Sequence, residues 1–164
     1  MTSRLTRTGG AFVNFDNRTY RWVDIKRFRL PEAAIDDQDL LTLLIAHGSY
    51  GDTYATDPGD DPHRHGPYWR TRSTSGCFEA TDADTEEIRL RTWAEEHAEL
   101  PGRLHAELDR ELYRPLRAAG AVYRLRDLGE DSFHDWGGVL GPFHELVLID
   151  RTAGELALIV ATDD

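Results

Sequence analysis

Cysteine, methionine and lysine are scarce in this chain of 164 residues, which contains one cysteine and one methionine. The single cysteine, Cys77, excludes a disulfide within the chain and a zinc site built from several thiolates. A lone thiol is typical of a reducing compartment, so we expect a cytoplasmic protein. Lys26 is the single lysine beside 18 arginines, an excess that we attribute to the codon usage of a GC-rich genome rather than to a binding function.

Long hydrophobic runs are also missing. The run over residues 40–46 is interrupted by Thr42 and falls far short of the roughly 20 apolar residues that cross a bilayer as a helix. The N-terminal segment carries Arg4 and Arg7 with no apolar stretch behind them, which is not typical of a secretory signal. We therefore expect a soluble protein with no membrane partner.

Positive charge is in deficit, since 19 lysine and arginine residues face 30 aspartate and glutamate residues and leave a formal charge of −11. The deficit is uneven, because residues 1–30 carry a net charge of +5 and the remaining residues carry −16. The acidic part repels phosphates, so nucleic acid is not an expected partner. It favours contact with a basic protein surface, although the same acidity can serve solubility alone.

The hydrophobic pattern predicts an α+β fold, in which a mostly antiparallel sheet of about five or six strands packs against three main helices. We expect one domain over residues 1–164, with a disordered tail over 1–10. Two apolar runs, 145–149 and 155–161, are apolar on both faces of a strand. They therefore predict a hairpin at the centre of the sheet.

A second hairpin is predicted near the N-terminus, over residues 11–29, with a two-residue turn at Asp16–Asn17. This turn sets the register by pairing Val13 with Tyr20. We expect one face of this hairpin to point toward the core, and its members are Ala11, Val13, Phe15, Tyr20 and Trp22.

Capping residues and apolar stripes place the helices. The first is predicted over 36–47 with an aspartate as its cap. The second begins at Asp84. Its predicted buried stripe consists of Leu90, Trp93, Ala94, His97 and Leu100. The third repeats leucine every four residues over 104–116, and we expect it to pack antiparallel to the second.

Residues 48–70 form a predicted long loop, because glycine and proline recur through them, and a loop of this length is typical of a functional or unstructured segment. It contains a His-x-His pair, His63 and His65, close to Asp61. Imidazole and carboxylate groups bind zinc and similar metals, so these three residues are a candidate metal site. A solvated polar loop explains the same residues, and the sequence specifies no particular cofactor.

The segment 133–145 combines glycine, aromatic, histidine and carboxylate residues directly before the central hairpin. Glycines let a backbone approach a ligand, aromatic rings form an apolar floor, and a histidine beside a carboxylate can transfer a proton. The predicted ligand-binding residues of such a pocket are Phe133, Trp136 and Phe143. The predicted catalytic residues are His134, Asp135, His144 and Glu145. A structural turn rich in glycine and proline explains the same segment.

Two functions remain open. The leading hypothesis is a small cytosolic, non-catalytic binding or regulatory protein that presents an acidic surface to a protein partner. The alternative is a small-molecule-binding enzyme of the hydrolase or lyase type, with or without a metal, that uses histidine–carboxylate pairs. The enzyme hypothesis requires the histidines of the loop 48–70 and of the segment 133–145 to meet around one pocket.

Overall fold

The computed structural model describes residues 3–55 and 60–163, and an antiparallel sheet lies at its centre. The strands are β1 (Thr6–Asn14), β2 (Arg21–Arg29), β3 (Arg64–His65), β4 (Tyr68–Trp69), β5 (Phe78–Thr81), β6 (Ala121–Leu125), β7 (Phe143–Asp150) and β8 (Glu155–Asp163). The six-stranded sheet has the order β1-β2-β8-β7-β6-β5, and β3 and β4 form a separate hairpin.

Three helical segments accompany the strands. The helices are α1 (Asp37–Ala46), α2 (Ala83–Glu95), α3 (Gly102–Leu108) and α4 (Arg114–Ala118), and a π-helical turn (Asp109–Tyr113) joins α3 to α4. Short 3-10 turns are Arg70–Arg72, Ser75–Cys77, Glu130–Ser132 and Gly137–Val139. The predicted α+β class, with a mostly antiparallel sheet and three main helices, is confirmed.

The hairpin of β7 and β8 occupies the centre of the sheet, as the two apolar runs predict. Leu146 pairs with Ile159 and Val147 pairs with Leu158, and all four side chains are buried. Because successive side chains of a strand point to opposite faces, this hairpin contributes to two separate cores.

One core lies between the sheet and the segment α2–α4, and the other lies beneath α1 and the chain that follows it. The helices contribute to the first core Leu90, Trp93, Leu104, Leu108, Leu112 and Leu116. The second core contains, outside the sheet, Leu40, Leu41, Leu44, Tyr50 and Tyr68. The described residues of the segment 47–77, which are 47–55 and 60–77, therefore cover one face of the sheet, and that face positions their inward side chains.

The N-terminal hairpin is present, but its predicted register is wrong. Val13 pairs with Val23 rather than with Tyr20. A wider connection replaces the two-residue turn, and it closes with positive φ angles at Asp16 and Arg18. Because of this connection, Tyr20 lies outside the strand and is 76 % exposed.

The shifted register also moves side chains between faces. Trp22 points away from the segment α2–α4 and stacks on Tyr54, whereas Val23 and Ile25 enter the core beneath α2–α4. β1 begins at Thr6, so the second half of segment 1–10, predicted as a disordered tail, is strand. The first two residues lie outside the described part of the chain.

The helix boundaries follow their caps. The α1 cap is Asp36, one of the two aspartates, Asp36 and Asp37, that could serve, and its carboxylate accepts a hydrogen bond from the backbone N–H three residues on (2.9 Å). α2 begins earlier than predicted, because its cap is Asp82 and not Asp84. α2 ends at Glu95, so His97 is exposed instead of extending the buried stripe. None of the described helices has the length and apolar character needed to cross a membrane.

The leucine stripe of the third helical segment is buried as its spacing predicts. An α-helix has about 3.6 residues per turn, so a stripe at four-residue intervals drifts around it. The π-helical turn has more residues per turn than an α-helix, so it brings the later leucines back to the side that faces the core. The segment packs antiparallel to α2, since Arg117 contacts Glu87 (2.7 Å) and Arg91 lies over the Tyr113 ring (4.0 Å).

Two positions on α2 test this packing. Leu90 is 0 % exposed and Ile88 is 68 % exposed. We expect Leu90→Ala to lower the free energy of unfolding by about 2–5 kcal/mol, because it leaves a cavity in the core. The matched control Ile88→Ala changes it by less than about 0.5 kcal/mol. Urea denaturation measures both, and equal losses would contradict the placement of α2.

Candidate functional site

The β3–β4 hairpin divides its four side chains between the interior and the surface. Arg64 pairs with Trp69, and His65 pairs with Tyr68. Since neighbours in a strand alternate between faces, His65 and Tyr68 point toward the sheet and are buried, whereas Arg64 and Trp69 point outward. This hairpin lies within the predicted long loop 48–70, of which residues 56–59 lie outside the described ranges.

Gly66 makes the hairpin turn tight enough to lie on the sheet. Its φ is +55°, and a Cβ atom built there would be 2.4 Å from the Phe143 ring. A side chain would therefore meet both backbone strain and a steric clash. Glycine at this position lets the β3–β4 turn pack directly against the first residue of β7.

A fully buried histidine–carboxylate contact lies beneath the hairpin. His65 and Glu145 are both 0 % exposed, and Nε2 of His65 contacts Oε1 of Glu145. Nδ1 of His65 is 2.6 Å from the carbonyl oxygen of Tyr50. Because a carbonyl oxygen only accepts, Nδ1 is the donor, and the imidazole Nε2 and the carboxyl group share a proton.

Tyr50 completes this buried network. Its hydroxyl donates to Oε2 of Glu145 (2.9 Å) and accepts from Ser73 Oγ (2.6 Å), while its ring stacks on His65 with a 3.7 Å centroid separation. Burial, and next the charge of Glu145, raise the pKa of Tyr50 well above its usual value. The phenol therefore stays protonated and continues to donate to the carboxylate.

The lone lysine ties the same segment to β2. Nζ of Lys26 lies 2.8 Å from the Asp52 carboxylate and 3.0 Å from the Tyr54 hydroxyl. Asp24 is the next acidic neighbour, with 3.9 Å between its carboxylate and Nζ. Burial raises the pKa of Asp24. Two buried polar contacts thus fasten the segment 47–77 to two different strands of the sheet.

The outward side of the hairpin forms an aromatic surface around one arginine. The Arg64 guanidinium lies 5.3 Å from the Trp69 ring centroid and 4.7 Å from that of Trp136. Asp135 holds it through two hydrogen bonds (3.1 and 3.3 Å), and these lower the pKa of Asp135. The tryptophans nevertheless remain 37 % and 44 % exposed. We name Arg64, Trp69, Asp135 and Trp136 the tryptophan–arginine surface.

His134 supports this surface from beneath. Its Nε2 donates to the Gly66 carbonyl oxygen (2.6 Å), and its Nδ1 accepts from the backbone N–H of Trp136 (2.9 Å). The side chain is buried, and both ring nitrogens are occupied by backbone groups. This geometry makes His134 a structural histidine that orients Trp136.

His144 belongs to the opposite face of the sheet. It directly precedes Glu145 in β7, so the two side chains point to different faces. Nδ1 of His144 accepts from Arg124 (3.1 Å), which also binds the buried Glu86 (2.6 Å). Burial, and next the positive charge of Arg124, lower the pKa of His144 to about 4.

The four predicted catalytic residues therefore do not form one site. Asp135 is engaged by Arg64 at the surface, and His134 is bound by backbone groups. His144 and Glu145 are separated by the sheet itself. Adjacency in the sequence suggested that His144 and Glu145 are partners, but in a strand adjacency sends them apart.

The three predicted metal ligands are not brought together either. Asp61 accepts from the backbone N–H groups of His63 (2.7 Å) and Arg64 (2.9 Å), and both ring nitrogens of His65 are engaged in the interior. Within the described ranges, no group of three or more histidine, cysteine, aspartate or glutamate residues is arranged to hold a metal ion. Asp57, from the same acidic stretch, lies outside those ranges.

The predicted ligand-binding residues divide between two places. Phe133 and Phe143 line one pocket, together with Tyr68. Trp136 lies outside that lining and belongs to the tryptophan–arginine surface.

The residues that organise the site were not among those predicted from the sequence, and they are Lys26, Tyr50, Asp52, Ser73 and Trp69. Their partners lie up to 95 positions away along the chain, so no local spacing marks them. One signal was available for Trp69, because it follows a Gly-Pro turn and a neighbouring aromatic residue.

Comparison with protein-family models and with curated proteins gives no match. Among solved structures, one similar chain is MAF1 from citrus, with a TM-score of 0.41 and 9 % sequence identity. The similarity covers 90 % of this chain and 92 % of that chain. A likeness this distant carries no argument about function.

Glu145 provides a test of the buried network. We expect Glu145→Ala to lower the free energy of unfolding by about 3–5 kcal/mol, because it leaves His65 and Tyr50 buried without their partner. Glu145→Gln should lose far less, since an amide can accept from the tyrosine and donate to a neutral imidazole. Urea denaturation of both variants decides this, and equal losses would contradict the assigned hydrogen bonds.

His144 provides a test of the opposite face. Its folded pKa of about 4 lies below the ordinary value of 6.5, so between these pH values the unfolded chain binds more protons. Stability from this group is therefore complete above pH 6.5 and is lost, by about 3 kcal/mol in all, as the pH falls through 4.

Denaturation curves recorded across that pH window should show a shallower loss of stability for His144→Gln than for the natural chain. The control His63→Gln changes an exposed histidine and should follow the natural chain. A His144→Gln curve that runs parallel to the natural one would contradict a neutral, buried His144.

Proposed function

We propose that this chain is a non-catalytic cytoplasmic binding or regulatory protein that presents an acidic, aromatic surface to a basic protein partner. The observation that carries the proposal is the tryptophan–arginine surface. Trp69 and Trp136 are held against Arg64 and still leave 37 % and 44 % of their area exposed.

Rigid, exposed aromatic residues beside an arginine have the composition of an interface centre. Tryptophan, tyrosine and arginine are enriched among the residues that dominate binding energy between proteins. Here Asp135 fixes the arginine with two hydrogen bonds, and His134 fixes the backbone of Trp136. A surface that is ordered before binding loses less conformational entropy when a partner docks.

The charge around this surface favours a basic partner. Along the chain three exposed carboxylates, Asp60, Glu130 and Asp131, flank it against one exposed arginine, Arg72. The backbone bridge between Tyr68 and Phe133 brings the segment that carries Glu130 and Asp131 beside β4. None of the three flanking carboxylates forms an ion pair with a residue in the described ranges. Free carboxylates around an aromatic centre attract lysine and arginine side chains and raise the rate of encounter.

The alternative, a hydrolase or lyase, receives less support from the geometry. Its proton-transfer pairs are not assembled as predicted, and the contact of His65 with Glu145 is 0 % exposed. A general base must come within hydrogen-bond reach of its substrate. The buried His65–Glu145 contact is therefore better suited to holding the tryptophan–arginine surface in place than to transferring a proton to or from a substrate.

Partner capture followed by reconstitution tests the proposal. The immobilised chain is incubated with extract of its own cells, each retained protein is identified and purified, and its dissociation constant is measured by calorimetry. We expect Trp69→Ala and Trp136→Ala each to weaken the reconstituted complex at least about tenfold, because each removes a central aromatic contact. We also expect affinity to fall as ionic strength rises.

Tyr20→Ala is the matched control, since Tyr20 is an aromatic residue with 76 % exposure on the N-terminal hairpin. It should leave the affinity unchanged. The proposal is contradicted if no retained protein depends on the two tryptophans, or if a reconstituted complex is insensitive to salt.

A further inference from the structure

A second candidate site lies at the end of the sheet where β6 stops and β7 begins. It is a pocket of about 450 Å³ between the 133–143 segment and the strands β5 and β6. One wall is aromatic and the other carries charged side chains. This division sets it apart from the tryptophan–arginine surface.

The aromatic wall consists of three rings, and Tyr68 packs against the other two, Phe133 and Phe143. The Tyr68 ring centroid lies 5.8 Å from that of Phe133 and 6.2 Å from that of Phe143. The Tyr68 hydroxyl accepts from the backbone N–H of Leu128 (3.2 Å), which fixes the ring. The wall is therefore a preformed apolar surface rather than a set of loose side chains.

Three arginines form the charged wall: Arg89, Arg124 and Arg126. Arg124 is the ordered member, because its Nε binds the buried carboxylate of Glu86 at 2.6 Å. Arg89 approaches the same carboxylate at 3.5 Å and is half exposed. A single buried carboxylate thus serves two guanidinium groups and leaves positive charge on the pocket side.

Arg126 has the most available guanidinium of the three. Its side chain approaches the Cys77 sulfur at 3.9 Å, and no carboxylate of the described residues lies within 4 Å of it. Glu79 and Asp127 also line the pocket, yet neither pairs with any of the three arginines. Asp127 instead accepts from the backbone N–H of Gly129 (2.8 Å). Guanidinium donors therefore remain free beside the apolar wall.

We propose that this pocket binds a small organic carboxylate with an aromatic or aliphatic body. A guanidinium matches the planar carboxylate with two parallel hydrogen bonds, and the rings of Tyr68, Phe133 and Phe143 receive the apolar body. Glu86 engages Arg124 and Arg89, so recognition of the anion depends on the guanidinium of Arg126.

The rest of the chain restricts the ligand to a small one. Residues 31–164 carry a net charge of −16, so an extended polyanion would be repelled around the pocket even where its first group fits. This site is independent of the proposed protein-binding surface, and either can be correct without the other.

Titration of the isotope-labelled chain, followed by amide NMR spectra, tests the site with benzoate and hexanoate as probes. We expect saturable shifts at Arg126, Phe133 and Phe143. Benzamide has the same ring without the charge, and acetate has the charge without an apolar body. Each of these should bind at least about tenfold more weakly, since each lacks one of the two recognised features.

Arg126→Gln should weaken benzoate binding at least about tenfold, because it removes the free guanidinium. Arg103→Gln changes an exposed arginine of α3 and should leave the affinity unchanged. Well-dispersed spectra of both variants show that each is folded. The proposal is overturned if benzamide binds as tightly as benzoate, if Arg126→Gln has no effect, or if neither carboxylate saturates.

Discussion

The buried contact between His65 and Glu145 is the constraint on which the rest of the site depends. Glu145 lies on β7, in the middle of the sheet, where an unpaired carboxylate would be strongly destabilising. Its two oxygens require two partners, and the segment 47–77 supplies both, through His65 and Tyr50. Covering the carboxylate therefore fixes that segment over the sheet. Because β3 and β4 alternate their side chains, burying His65 places Arg64 and Trp69 outward.

The same alternation separates the chemistry of the two faces. Two neighbouring residues of β7 belong to separate hydrogen-bond networks. Glu145 lies beneath the segment 47–77, and His144 lies beside Arg124 and Glu86. Each network has its own partners, and neither supplies an accessible acid–base pair. What the fold exposes instead is recognition chemistry: two tryptophans around an arginine, and a pocket with arginine on one wall and aromatic rings on the other.

The sequence predicts the elements better than their connections. The central hairpin is predicted by two continuous apolar runs, because both of its faces are buried. The leucine stripe is predicted by its four-residue spacing. The N-terminal register failed because the positive φ angles at Asp16 and Arg18 close a wider connection than a two-residue turn. The site was harder to predict from the sequence, since His65 and Glu145 are 80 positions apart. Only the topology of the sheet brings them together, and no spacing rule encodes it.

Amide hydrogen exchange after loss of Glu145 tests most directly whether one buried contact holds the recognition surface in place. The informative amides are those of Gly66, His134 and Trp136, whose hydrogen bonds close the hairpin and its support. In Glu145→Ala we predict that these three lose protection while the amides of α2 keep theirs. Unchanged protection at the three amides, or an equal loss throughout α2, would contradict the central role assigned to this contact.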